Sequence, residues 1–523
     1  MKKWIASIAG FMAIALTGCQ ASEGVDLNKV MKNTYSVTSS EASQTLTVRL
    51  TADNNSALTG NTKQFMDLFG NASLNLKEIK MQDRLHVSVK GDFVYSKGTI
   101  PFQMNSEGQD LIIQVEGAKK PIVLHRTAVP AGEASELISE QLKKQLEELT
   151  QKSADLAPAI GSFLAGTLPN PARMYKKTET SQVHGETLTL NKFHADVNGT
   201  ELLGLVKSFL TNVAADEKGL KDLIGQLYDV FVPVIKEAMK SQEQGADGNA
   251  QLGMYMQYLD NKTLAVEFAA TSVKGLIQNA LNDFDASAEK LSASENGKAA
   301  QLLLSDKMTF ATDVYIDSDN QIRKSYTEFK LALPAEESGG LKEIQVTSAS
   351  ENWNINKPVS IAPIDRSSAV EFDGTSSTSP SKLLAALDSK SQIYKFLKDD
   401  LRITKKDLHL VVDSSGSGDA ASPYNKDGNV MVPARYVVES LDANVDWDGS
   451  TKQVIVTDEL RGVKVVLTIG SPMAAVNGVI KPLEAAPEIM NGSTFVPIRV
   501  IAEALGARVS WDGDANAVVI QRD

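Results

Sequence analysis

Val432-Pro433-Ala434-Arg435-Tyr436-Val437-Val438-Glu439-Ser440-Leu441-Asp442-Ala443-Asn444-Val445-Asp446-Trp447-Asp448-Gly449 recurs 64 residues later as Val496-Pro497-Ile498-Arg499-Val500-Ile501-Ala502-Glu503-Ala504-Leu505-Gly506-Ala507-Arg508-Val509-Ser510-Trp511-Asp512-Gly513. So many identities in one register mark an internal duplication. Pro433 and Pro497 stand where a helix begins, a place where the missing N–H costs nothing. Ile498, Ile501, Ala502 and Leu505 recur at helical spacing and form one apolar stripe. Gly506 follows where a left-handed C-terminal residue is needed, and Asp442 fills that place less comfortably in the first copy. A short strand then leads to Asp448-Gly449 or Asp512-Gly513, read as hairpin turn signals, and to strands Gln453–Val456 and Ala517–Ile520. Val463–Ile469 and Met473–Asn477, with Gly478, add further strand and turn between the copies. The unit is a small α+β module used twice.

These motifs, with Ala475-Val476-Asn477-Gly478 between the copies, resemble the copper amine oxidase-like N-terminal domain. The resemblance covers about Lys406–Asp523. It implies a tandem module of secreted and surface proteins of Gram-positive bacteria, a stalk or attachment piece remote from any copper or quinone chemistry.

The other end of the chain reads as an export signal. Met1-Lys2-Lys3 precedes an apolar run, Trp4 to Leu16, too short to span a bilayer. Leu16-Thr17-Gly18-Cys19 resembles the lipobox of bacterial lipoproteins, which makes residues 1–18 a signal peptide and Cys19 the lipidation site. Cys19 is the one cysteine of the chain, so an internal disulfide and a cysteine metal site are excluded. Several acyl chains on one residue satisfy the requirement for stable membrane attachment. Residues 19–24 form a tether whose residues 20–24 reach about 18 Å when extended. The sequence thus places the protein on the extracellular face of the cell membrane, first domain near the bilayer and duplicated module outward.

Between these ends, residues 25–363 alternate between strand and helix patterns. Leu85–Val89, Ile100/Phe102/Met104, Leu111–Val115 and Ile122/Leu124 read as antiparallel strands with one buried face. Helices are expected over about Glu133–Gln151, Glu201–Lys240 and Ala270–Leu291, with Pro233 kinking or interrupting the second. A hairpin over Met308–Ile316 and Ile322–Leu333, turning at Asp317-Ser318-Asp319-Asn320, precedes a strand over Leu341–Ile355. Strands at both ends with helices between them give one α+β domain. The element order, with Val183-His184-Gly185-Glu186-Thr187 and the closing Trp353-Asn354-Ile355-Asn356-Lys357-Pro358, is similar to the lipoprotein-carrier (LolA-like) family. That resemblance implies a curved antiparallel sheet over helices, with a concave face able to hold acyl chains. It assigns no individual cavity residue. Residues 364–405 are a Ser-rich linker followed by a short helix.

Chemistry is scarce. The chain carries 53 Lys and Arg against 65 Asp and Glu, a net charge of -12, which speaks against nucleic acid and against flat docking on an anionic membrane. His86, His125, His184, His194 and His409 show no metal-site spacing, although His184 and His194 could meet across a hairpin. Ser379-Pro380-Ser381-Lys382 matches a penicillin-binding S-x-x-K string but sits in the linker, where a nucleophile cannot be held. Asp317–Asn320 begins like a calcium loop and lacks its later glycine and glutamate, so a turn is the simpler reading. Arg435/Glu439 and Arg499/Glu503 read as helix-supporting pairs, with a partner surface as the alternative. Trp447 and Trp511 read as apolar anchors of the module, with ligand platforms as the alternative. The expectation is therefore a non-enzymatic surface lipoprotein with no cofactor and no metal or catalytic site, and with ligand-binding residues unassigned. It would attach to a cell-wall polymer or surface protein. The competing expectation is a carrier or sensor of lipid or hydrophobic ligands in the first domain.

Overall fold

The period-two segments of the first unit pair into one sheet. The computed structural model describes residues 27–53, 58, 60–125, 140–243, 259–294, 297–334, 337–372, 379–412 and 422–522. Cys19, its lipobox and the export signal lie outside the described residues. The chain divides into two units, residues 1–114 with 121–375, and residues 115–120 with 376–523.

In the first unit the strands are β1 (Ser40–Ala52), β2 (Asn71–Met81), β3 (His86–Tyr95), β4 (Gly98–Glu107), β5 (Asp110–Val115), β6 (Ile122–His125), β7 (Arg173–Val183), β8 (Glu186–Asn198), β9 (Met308–Ile316), β10 (Ile322–Ala332), β11 (Leu341–Trp353) and β12 (Val370–Phe372). They form one sheet in the order β12-β6-β5-β4-β3-β2-β1-β11-β10-β9-β8-β7. The pairing of β1 with β11, Thr47 opposite Thr347, joins the start of the unit to its end. The helices are α1 (Leu27–Ser36), α2 (Gly60–Phe69), α3 (Glu140–Ala154), α4 (Ala157–Thr167), α5 (Gly199–Ala215), α6 (Glu217–Glu243), α7 (Lys262–Asn282), α8 (Phe284–Ala293) and α9 (Gly297–Leu303). The class is α+β, as the sequence indicates.

The core lies on one face of the sheet. Val197, Met308 and Phe310 are buried against Leu202 and Leu205 of α5, Leu303 of α9, and Phe329 and Leu331 of β10. Farther along the same face Val30 of α1 packs on Phe193, Val314 and Ile316. Met31 of α1 meets Ala165, Leu168, Leu164 and Phe209.

Several expectations are corrected. α1 and α2 are helices that the sequence reading did not give, because each is only ten residues long and shows too few turns for a helical period to stand out. The segment Glu201–Lys240 breaks at Asp216, not at Pro233. Asp216 Oδ1 accepts the N–H of Gly219 at 2.9 Å and starts α6, which continues through Pro233. The third helical region is three helices, α7 to α9. Within the expected linker, β12 pairs in parallel with β6, Glu371 beside Val123. No described helix is long and apolar enough to cross a membrane.

The end of β12 is fastened by charge. His125 Nδ1 lies 2.8 Å from Asp110 Oδ1, its Nε2 3.6 Å from Glu371, and Arg366 holds the other Asp110 oxygen at 2.8 Å. The hydrogen bond to Asp110, reinforced by Glu371, raises the His125 pKa above its ordinary value of 6.5. The clasp therefore contributes fully below 6.5 and is lost as pH rises through the raised folded value. Hydrogen exchange at Val370–Phe372 should be slower at about pH 6 than at about pH 8.5, after correction for intrinsic rates, and His125→Gln should abolish the difference. Equal protection at both pH values in the unmodified chain would contradict the assignment.

The second unit opens with two short helices, α10 (Pro380–Ala385) and α11 (Gln392–Lys395), and a π-turn over Phe396–Asp400. Its strands are β13 (Lys406–Val411), β14 (Tyr424–Lys426), β15 (Asn429–Pro433), β16 (Asn444–Asp448), β17 (Gln453–Asp458), β18 (Val463–Thr468), β19 (Met473–Val476), β20 (Val479–Pro482), β21 (Glu488–Met490), β22 (Ser493–Pro497), β23 (Ala507–Asp512) and β24 (Ala517–Arg522). The repeat helices are α12 (Ala434–Ser440) and α13 (Ile498–Ala504). Among the described residues they form three sheets, β13-β24-β23, β14-β15-β22-β21 and β16-β17-β18-β19-β20.

The two copies meet about a pseudo-twofold axis, because Val432 of β15 pairs with Val496 of β22, its own counterpart. Val437, Val438, Leu441, Ile501, Ala502 and Leu505 from the two helices enter one shared core. β13 pairs along the whole of β24, Lys406 opposite Arg522, so a strand preceding both copies completes the sheet of the second.

Candidate functional site

Among the described residues two places stand out, a repeated exposed aromatic corner and a cavity.

The first is the repeated Trp-Asp-Gly corner. β16 and β17 are joined through Gly449–Lys452, with Asp448 opposite Gln453 and Lys452 at φ 52°; in the second copy Asn516 takes that place at φ 49°. The Asp-Gly pair is therefore not the left-handed centre of a tight turn. Asp448 Oδ1 accepts the N–H of Ser450 at 2.9 Å and of Thr451 at 3.3 Å, and Asp512 Oδ1 accepts those of Asp514 and Ala515 at 3.1 Å. Bonds from Ser450 and Thr451 depress the Asp448 pKa to about 2. A Cβ on Gly449 would sit 3.4 Å from the Trp447 indole nitrogen, and one on Gly513 3.7 Å from that of Trp511, ordinary contact distances that place each indole beside its glycine. Each indole lies across its own turn.

Trp447 and Trp511 remain 45% and 51% exposed, so the expectation that they anchor the module core is corrected. The core is already filled by the aliphatic side chains of the two helices and the inner strand faces. Both tryptophans stand on edge strands, β16 and β23. Arg435 pairs with Glu439 at 3.1 Å on the α12 surface, but Arg499 turns to Glu484 at 3.1 Å instead of Glu503. Gly506 takes φ 76° and Asp442 φ 59°, so both copies end their helix in the left-handed conformation; Asp442 is held there by Lys406 at 3.0 Å.

The second place is a cavity of about 360 Å³ between α1 and the sheet of the first unit. Met31, Thr34 and Tyr35 of α1 face Thr312, Val314, Ser325, Thr327, Ser350 and Asn352 of β9 to β11. Along β10 the core face runs Leu331, Phe329, Thr327, Ser325, and its partners change in step. Phe329 lies opposite Phe310 and Val346, whereas Thr327 lies opposite Thr312 and Ser348. The hydroxyls bond across the strands, Thr312 to Thr327 at 3.2 Å and Ser325 to Ser350 at 2.7 Å. Gln44 of β1 donates to Ser348 at 3.0 Å. In sequence these residues are ordinary strand polar positions, and only the register shows that they share one face.

Charge is gathered on the opposite face. His194 Nδ1 lies 2.7 Å and Lys192 Nζ 2.9 Å from Asp313, while Arg173 holds Asp196 at 2.7 Å. His184 stacks on Trp353 with centroids 3.8 Å apart at the β7–β8 turn. It lies ten residues before His194, ahead of the first residue of β8, and the stretch from Glu186 to His194 alone spans roughly 26 Å at strand rise, so the two histidines do not meet. His86 pairs with Asp83 and His409 with Asp407. Among the described residues no His, Cys, Asp or Glu group of three or more could hold a metal ion.

Asp317 Oδ1 accepts the N–H groups of Asp319 and Gln321 and Oδ2 meets Arg323 at 3.2 Å, which makes the calcium-like string a hairpin turn. Ser379 of the S-x-x-K string accepts the N–H of Lys382 as the cap of α10. The string thus stands at the start of a helix and not in the flexible linker expected for it.

A protein named "Protease inhibitor" from Brevibacillus choshinensis is 32% identical over 114 residues, which is 22% of this chain and 34% of that protein. The chain thus spans about a third of the length of the curated relative it matches. No solved structure matches the chain significantly. Residues 415–520, the two copies with their paired helices, match the family model of the copper amine oxidase N-terminal domain, which is a non-catalytic domain.

Proposed function

We propose that the protein is a non-enzymatic lipoprotein of the cell envelope, acylated at Cys19 on the outer face of the cell membrane, whose second unit attaches it to a wall polymer or surface protein. The observation that carries this reading is the pair of exposed Trp-Asp-Gly corners. Both copies keep a large aromatic ring half in water although the module core does not need it, and exposed aromatic residues are enriched where proteins meet partners. Deleting residues 406–523 should lower retention of the protein in purified wall sacculi on the order of ten-fold, a loss of about 1.4 kcal/mol. Unchanged retention would count against attachment. Replacement of Cys19 by Ser should release the protein from the membrane fraction without altering wall binding by the second unit. The similarity to a protein named as a protease inhibitor makes exported proteases the first surface-protein partners to assay.

A second reading, carriage or sensing of a hydrophobic ligand by the first unit, is favoured by the cavity beneath α1. Native mass spectrometry of the chain purified from its host should then show a bound small molecule, and a ligand-free mass would argue against carriage.

A further inference from the structure

We infer that the cavity beneath α1 binds an uncharged, hydroxyl-bearing group, glyceryl or glycosyl, and selects against charged head groups. The inference rests on the carriage reading and names the ligand class for that site.

A buried β face ordinarily stays aliphatic, because polar groups taken from water cost free energy unless bonded. Here the face is apolar at one end, at Phe310, Phe329 and Val346, and turns to hydroxyls one residue pair later across three adjacent strands. Thr312, Thr327 and Ser348 form the next row, and in the row after Ser325 and Ser350 stand beside Val314 of β9. The switch coincides with the place where the helices leave a cavity.

The hydroxyls satisfy one another only in part. A hydroxyl offers one donor and two acceptor sites, so the bond between Ser325 and Ser350 leaves a donor and further lone pairs for a bound molecule. Polar groups of that kind match hydroxyl and ether oxygens. Apolar walls from Met31, Tyr35, Val37 and Ile322 cover the remaining surface, and suit the carbon face of a sugar or the start of an alkyl chain.

No described residue lining the cavity is charged. A phosphate or ammonium head would enter without a counter-charge, which is strongly unfavourable in a partly dehydrated site. The same strands carry Asp313, Lys324, Glu328 and Lys330 on the opposite face, so the chain has charges in these strands and turns them away. The volume, about 360 Å³, lies at the small end for ligand sites and fits a head group or a single sugar better than several acyl chains.

The test uses the full chain and a single-chain-length series: octyl β-glucoside, octyl phosphate and octyltrimethylammonium, each below its micellar concentration, with free glucose alongside. Calorimetric titration should give octyl glucoside an affinity on the order of ten-fold or more above both charged heads. The Thr327→Val, Ser350→Ala double variant should lose on the order of ten-fold for octyl glucoside while keeping the unfolding midpoint of the parent. Glucose binding as tightly as octyl glucoside would assign the site to a free sugar, and weaker glucose binding to a neutral amphiphile; both support the inference. Equal binding of all three heads, indifferent to the double variant, would overturn it while leaving carriage intact. Binding of none would overturn both.

Discussion

Asp458→Asn will destabilise the second unit by about 3–5 kcal/mol, because it leaves the Arg522 guanidinium buried with its counter-charge removed. The two side chains are 0% and 1% exposed and hydrogen-bonded to each other, and Arg522 also donates to the Leu441 carbonyl. Asparagine keeps the oxygen that accepts the N–H groups of Leu460 and Arg461, so the substitution isolates the charge from the turn it caps. In a urea or thermal transition the midpoint should fall by on the order of 10 °C. The joint replacement Asp458→Leu with Arg522→Met should recover much of the loss, since a buried pair is often no better than apolar residues of similar size. A single-variant loss below about 1 kcal/mol would show that the pair is not desolvated in solution.

The position of this pair follows from the duplication. Residues 458 and 522 are counterparts 64 apart, as are Tyr424 and Glu488, which also bond to each other. A residue facing a pseudo-twofold axis meets its own equivalent. Two like charges there would repel in a medium with little screening. The copies differ at these polar axis positions, whereas Val432 and Val496, which meet there without charge, stayed the same.

The second large effect is expected in the first unit. Phe310→Ala should cost about 3–5 kcal/mol, the transfer free energy of the ring plus the cavity it leaves. Phe310 is 1% exposed and sits between Val197 and Met308 on the sheet and Leu202, Leu205 and Leu303 on the helices. Among the described residues the ring is enclosed by paired strands and two helices, so the gap cannot close without moving them. Phe310→Leu should lose less, about 1–2 kcal/mol. Far-ultraviolet circular dichroism during urea unfolding measures both. A loss for Phe310→Ala no greater than that of a surface substitution would mean that the helices are not docked on this face.

Much of the second unit was legible because its signals are local. Pro433 and Pro497, the stripe Ile498, Ile501, Ala502 and Leu505, and the left-handed residue at Gly506 all act within one turn of helix. The Trp-Asp-Gly motif was visible but its meaning was not. Whether an indole is buried depends on how much apolar surface the rest of the core supplies, and here the aliphatic residues fill it. In the first unit the strands at Met308–Ile316 and Leu341–Trp353 were plain from alternation, while the short helices α1 and α2 were hidden by their length.

The amino-acid order by itself determined the α+β class, the duplication and its two repeat helices, since all of these are written in composition, spacing and turn chemistry. It also supplies the expectation of export and acylation at Cys19. Tertiary structure decided which residues share a face. The contact of Gln44 with Ser348 spans 304 positions, and the hydroxyl rows of the cavity exist only because β1, β11, β10 and β9 align in one register. Side-chain alternation fixes which residues of a strand point together; which strands lie side by side is set by long-range burial, a sum over the whole unit that no local pattern contains.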